Sequence, residues 1–212
     1  MTLTLATARF TVLDHLDDDN TRWSEAQVDR ALSYALSQTL FDYASGGGDR
    51  FDVTEALSTT AGSLSLATRV PILIRGVSLL VGQRYFPLTQ RPIEDRSITD
   101  DQTRSLQVRY VRAYALPTDS THPLVGVGAT PALSWDGFDH WVCLRAAMFA
   151  STKDAELRNE LVDQEARAAS SVMTIAKTPT ALPFPARLRY YSQILVWTWQ
   201  RDTQTLILTR RW

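Results

Sequence analysis

Residues 21–48 read TRWSEAQVDRALSYALSQTLFDYASGGG, and the fold class is decided on this stretch. Ser24 is placed to cap a helix, and Gln27 holds the capping-box position three residues on. Trp23 and Val28 bracket that cap with the spacing of a hydrophobic staple. Val28, Ala31, Leu32, Ala35, Leu36 and Leu40 recur with helical period, so one face of this helix is expected to be buried. Gly46, Gly47 and Gly48 then stop it near Ala44. A buried helical face needs partners, and the pattern predicts two more helices downstream. Asp136 is placed to cap one of them, which turns Phe138, Trp141, Val142 and Phe149 inward. The other runs from about Asp154 to Ala176, with Ser151 and Asp154 resembling a capping box and a stripe of Leu157, Leu161, Ala168, Val172 and Ile175.

Around these helices the signals are shorter. Residues 1–22 read as a β-like stretch followed by an acidic turn, Asp17, Asp18, Asp19, Asn20. Residues 51–70 are Ser/Thr-rich and read as irregular, and Pro71 suits the first position of a short helical turn. Val77–Val81 and Arg84–Leu88 flank Gly82-Gln83 as a hairpin. A polar loop with a short helix is expected over 89–104, and Leu106, Val108 and Tyr110 alternate as in a half-buried strand. Pro117, Pro123 and Pro131 mark a loop-rich section. Beyond Pro179, Pro183 and Pro185, two strands are expected, Arg189–Trp199 and Thr205–Arg210. Leu195, Trp197 and Trp199 share one face of the first, and Leu206 and Leu208 share one face of the second. The expected fold is therefore mainly α: a helical-bundle core with an inserted small β-hairpin region and a C-terminal extended β-hairpin arm. The body spans 1–177, with its β insertion around 70–130, and the arm spans 178–212.

Hydrophobic residues make up 44% of the 212 and charged residues 21%, which suits a packed core. The net charge of −1 gives no argument for nucleic-acid binding by the chain as a whole, but its distribution is uneven. Arg187, Arg189, Arg201, Arg210 and Arg211 face only Asp202 in the arm, leaving the body acidic. Cys143 is the single cysteine, so no disulfide can form within the chain, in keeping with a reducing compartment. No apolar run is long enough for a bilayer, the first ten residues lack the blocks of a signal peptide, and no membrane partner is expected.

Motifs of chemistry are not found. His15, His122 and His140 lack metal-ligand spacing. His140 with Asp136 and Asp139 reads as a polar cluster at a helix start, and Cys143 as a small buried hydrophobe. Gly46–Gly48 lacks the lysine of a phosphate-binding loop, and no Gly-x-Ser-x-Gly elbow occurs. The acidic run Asp14–Asp19 lacks the ligand spacing of a calcium loop. The expectation is a protein that is not an enzyme and carries no cofactor. Twenty of the 22 basic residues are arginine, and three of six tryptophans lie in the arm. Arginine and tryptophan dominate interface hot spots. The candidate partner-binding set is Arg187, Arg189, Tyr190, Tyr191, Trp197, Trp199, Arg210, Arg211 and Trp212. An isolated hairpin is marginal in water, so this one must dock on its own body, a neighbouring subunit or another protein.

The order of elements resembles a known family. The Trp-led helix Thr21-Arg22-Trp23-Ser24-Glu25-Ala26-Gln27-Val28 is followed by Ala61-Gly62-Ser63-Leu64-Ser65-Leu66 and the Pro-led turn Arg69-Val70-Pro71-Ile72. A hairpin, a strand holding Tyr110, a Pro-rich loop and a late helical pair close the body. Over roughly residues 10–176 this is similar to the head-to-tail adaptor (connector, or neck) proteins of tailed bacteriophages. The resemblance implies a structural virion protein, assembled in the host cytoplasm, forming a ring of roughly twelve copies at the head–tail junction. Such a ring extends the DNA channel, with double-stranded DNA in passing contact, and binds the portal protein and other tail or neck proteins. The C-terminal segment would reach the portal or an adjacent subunit. The alternatives are another tail or neck structural protein, or a binding module using the Trp-rich hairpin.

Overall fold

The computed structural model describes residues 3–18, 22–90, 97–99, 101–126, 133–151, 154–176 and 194–211. Among them are four α-helices and nine strands in two sheets, arranged in two compact units. The first unit is Met1–Phe51 with Tyr114–Pro179, and the second is Asp52–Ala113 with Thr180–Trp212. The mainly α expectation is thereby corrected to an α+β chain in which helices and sheets segregate. Most strand pairings join residues far apart in sequence, and local periodicity carries no record of them.

The first unit is helical. Its central helix, α3 (Asp136–Ala150), packs against α1 (Leu5–His15), α2 (Glu25–Ser45) and α4 (Ala155–Ala176). Phe138, Trp141, Val142, Leu144, Ala146 and Ala147 of α3 are buried, so this helix is apolar nearly all round. The helix over residues 5–15 replaces the expected β-like start. Its inward residues, Leu5, Ala8 and Val12, follow helical spacing. Its first N–H groups, which a helix cannot satisfy itself, are taken by loop carbonyls: Leu5 donates to His122 O and Ala6 to Ser120 O, at 3.0 and 2.9 Å. The capping box of α2 is present, with Ser24 N–H donating to Gln27 Oε1 at 2.8 Å, and the helix ends at Ser45 against Gly46. An aromatic cluster of Tyr43, Phe51, Trp135 and Phe138 closes one end, with Phe51 and Phe138 ring centres 4.7 Å apart.

Arg145 ties three helices together. It donates to Asp42 Oδ2 of α2 at 2.6 Å and to Glu165 Oε1 of α4, while its guanidinium lies 4.9 Å from the Trp141 ring centre. Trp141 Nε1 donates to the same Glu165 oxygen at 2.6 Å. Such a knot resists loss of one member, because the others are then left charged and half-buried.

The second unit is two sheets sharing one core. The first has the order β1 (Asp52–Ser58), β7 (Ser105–Arg112), β3 (Pro71–Val81), β4 (Arg84–Pro87), antiparallel throughout. The second has the order β2 (Ser63–Ser65), β9 (Thr205–Arg211), β8 (Ile194–Gln200), β5 (Thr89–Gln90), with β6 (Ser97–Thr99) also on β9. Only β5 with β8 runs parallel in that sheet. Strands over 52–58 and 63–65 correct the irregular reading of 51–70, and Pro71 opens a strand rather than a helical turn. The hairpin at Gly82-Gln83 pairs Val81 with Arg84, and Gly82 takes the positive φ of 64° that its turn requires. Leu106, Val108 and Tyr110 of β7 point into the core, where they meet Leu64, Leu66, Val77, Trp197, Leu206 and Leu208. The two strands expected of a C-terminal extended arm, β8 and β9, are therefore the middle of a sheet.

Candidate interaction surface

Trp197 is 3% exposed and packs in the core of the sheet unit, and Trp199 lies half-buried against the same core. Their shared face with Leu195 is the one expected, but it is covered by this chain's own β-structure. Of the alternatives for docking the hairpin, its own body accounts for Trp197. Arg210 and Arg211 close β9, their backbones paired with Leu195 and Ile194 of β8. Arg187, Arg189, Tyr190, Tyr191 and Trp212 lie outside the described residues.

Large apolar side chains are exposed elsewhere. Among the described residues they are Phe10, Tyr34, Phe41, Val162 and Ile175 on helices, with Val70 and Val81 in the sheet unit. Phe10 and Tyr34 are the most open aromatics among the described residues, at 69% and 54%. On α2, Arg30, Tyr34 and Phe41 share the face opposite the buried stripe of Val28, Leu32, Ala35 and Leu36. Tyr34 meets Phe149 of α3 edge-on, with ring centres 4.5 Å apart. Between them opens a groove of about 580 Å³, lined by Arg22, Trp23, Gln27, Arg30, Ala31, Tyr34, Phe149 and Ala150. Trp23, expected as a staple, stands half-buried on its wall and is held through its N–H, which donates to Asp18 Oδ2 at 3.0 Å. Neither arginine side chain of the groove makes an ion pair among the described residues, whereas Arg9, on α1, forks onto Asp29 at 2.7 Å. Aromatic walls with arginines that form no ion pair among the described residues suit a partner with apolar and anionic groups. The buried stripe of α2 carries no mark of this groove. The available signal was the aromatic pair, Tyr34 and Phe41, on the solvent side of that stripe.

The titratable groups expected as a polar cluster at the α3 start are only partly together. Asp139 is buried, and Leu3 N–H donates to its Oδ2 at 3.0 Å. Burial pushes its carboxyl up to about 6 despite that bond. The His140 ring lies 5.5 Å from that of His15. Burial, with His140 beside it, lowers the His15 imidazole. Cys143 is buried, and desolvation pushes its thiol up to about 12, the condition of a structural rather than reactive cysteine. In the sheet unit, Glu55 accepts from Tyr110 Oη at 2.8 Å and pairs with Arg69, whose hydrogen bond is the main cause holding the carboxyl below its usual range. Asp52 is gripped by Arg109 at 2.6 Å and Arg75 at 3.2 Å. Tyr110 and Arg109 tie β7 to its neighbour β1, while Arg75 reaches β1 from β3 and Arg69 reaches it from the short turn before β3. Among the described residues no group of three or more His, Cys, Asp or Glu side chains is gathered as a metal-ligand set. No helix among them is long and apolar enough to cross a membrane. No family model matches the sequence, and no curated protein matches it at a significant level.

Proposed function

We propose that this chain is a structural ring-forming protein of the phage head–tail adaptor kind, one that joins a portal to a tail and lines the passage between them. The observation that carries the reading is the helical unit's outer surface. Large apolar side chains stand exposed on α1 (Phe10), on α2 (Tyr34, Phe41) and on α4 (Val162, Ile175). Large apolar side chains open on three helices are what a subunit with a neighbour on each side can cover. The element order supports the same reading: helices α1 and α2, then strands, then helices α3 and α4. Arg210 and Arg211, with Arg187, Arg189, Tyr190, Tyr191 and Trp212, are the set proposed to reach the portal or an adjacent subunit.

The test is to mix the purified chain with the portal of its own genome and image the product by electron microscopy. The reading expects axial ring density added to portal particles. A chain that stays monomeric and leaves the portal bare would sink it.

A further inference from the structure

The helical unit carries two sets of charges without ion-pair partners among the described residues. Arg22 and Arg30 stand in the α2–α3 groove. Glu156, Glu160 and Asp163 stand exposed on α4, on the side turned away from its buried Leu161 and Val172. Their spacing puts the three carboxylates on one face over two turns, about 10 Å. Glu160 accepts a hydrogen bond from Gln164 Nε2 at 3.3 Å, which leaves its charge uncompensated. Arg167, one turn further on, ends the acidic run. Val162, 43% exposed, lies about 100° round the helix from Asp163 and so off this face.

We propose that the groove of one copy receives the acidic face of α4 from a second copy. The groove offers two cations and an aromatic wall of Trp23, Tyr34 and Phe149; the helix offers three anions. Opposite charges that are open in the single chain are the natural source of register in an assembly. The same chain cannot satisfy itself, since α4 is held on α3 through Leu161 and Val172 with its carboxylates turned outward. The two patches are different surfaces, so each copy keeps one groove and one acidic helix free. That contact is heterologous and builds a chain or a ring rather than a closed pair. It rests on the self-assembly in the reading above and names the surfaces that carry it.

The experiment is sedimentation velocity on Arg30→Glu, on Glu160→Lys and on their equimolar mixture, alone and with the portal. Each single variant is expected to weaken self-association roughly tenfold or more. The mixture is expected to restore it, because the reversed groove of one variant meets the reversed helix of the other. The double variant in one chain is expected to assemble like the wild type, which controls for folding. Single variants that assemble as the wild type does, or a mixture that restores nothing, overturn the contact. If those variants still form rings on the portal, the contact fails while the adaptor reading stands. A wild type that is monomeric with and without portal overturns both.

Discussion

The two units treat their aromatic residues in opposite ways. The sheet unit hides Trp197 at 3% exposure and covers most of Trp199, although both lie in the segment whose composition argues most for a partner. The helical unit leaves Phe10 and Tyr34 open, although their sequence neighbourhoods read as an ordinary opening strand and an ordinary amphipathic helix. Richness in Trp and Arg therefore says that a segment needs covering and not what covers it. In the sheet unit the cover is β2, β3 and β7 of the same chain, whereas on the outer face of α2 Tyr34 and Phe41 stay exposed among the described residues.

The strongest way to break this comparison is to empty the sheet core. Trp197→Ala removes the largest side chain of that cluster, and a loss of about 4 kcal/mol is expected. Hydrogen exchange should show the loss in β2, β8 and β9. A near-neutral result would mean that the tryptophan faces a partner after all. Next is Arg145→Ala in the helical unit, which strands Glu165 and Asp42; about 3 kcal/mol should be lost in urea denaturation.

Asp139 sharpens the comparison through pH. Its folded carboxyl titrates near 6, above the ordinary value, so the folded state holds this proton more tightly than the unfolded chain does. The stability it contributes is complete below about pH 4 and is lost as pH rises through about 6, amounting to about 2–3 kcal/mol. The difference in stability between wild type and Asp139→Asn should change by that amount across this window. A constant difference would show that the carboxyl is solvated.

Smaller still, Val70 holds a left-handed conformation at φ 44°, ψ 63°, which a β-branched residue adopts at a cost. Val70→Gly should raise the sheet unit's stability by about 1 kcal/mol in denaturant melts. The smallest expected effect on folding is that of Phe10→Ser, within about 0.5 kcal/mol because the ring is already open. Equal stability with weakened assembly is the outcome that the exposed surface predicts.

The elements legible from sequence carry their signal locally. The Ser24–Gln27 cap, the α2 stripe, the Gly82 turn and the inward faces of β7, β8 and β9 are each set by residues within a few positions of one another. The first helix was hidden because Thr4, Thr7, Thr11 and Val12 favour extended structure, and only Leu5, Ala8 and Val12 together betray the helical period. Strand β1 was hidden because Asp52, Thr54, Glu55 and Ser58 look like loop. What makes it a strand is pairing with β7 some fifty residues later, where Glu55 and Asp52 find Tyr110 and Arg109. The groove was half legible: its residues stand in the quoted stretch, but its Phe149 wall comes from a helix more than a hundred positions on.

The interleaving of the two units has a consequence for synthesis. Strands β1, β3 and β7 leave the ribosome long before β8 and β9, which supply Trp197, Leu206 and Leu208 to their common core. During that interval Leu106, Val108 and Tyr110 lack those three partners, while α3 and α4 emerge and can close on α1 and α2. The helical unit is thus the first that can finish, and the nascent sheet is the stage of this chain's life most in need of a chaperone.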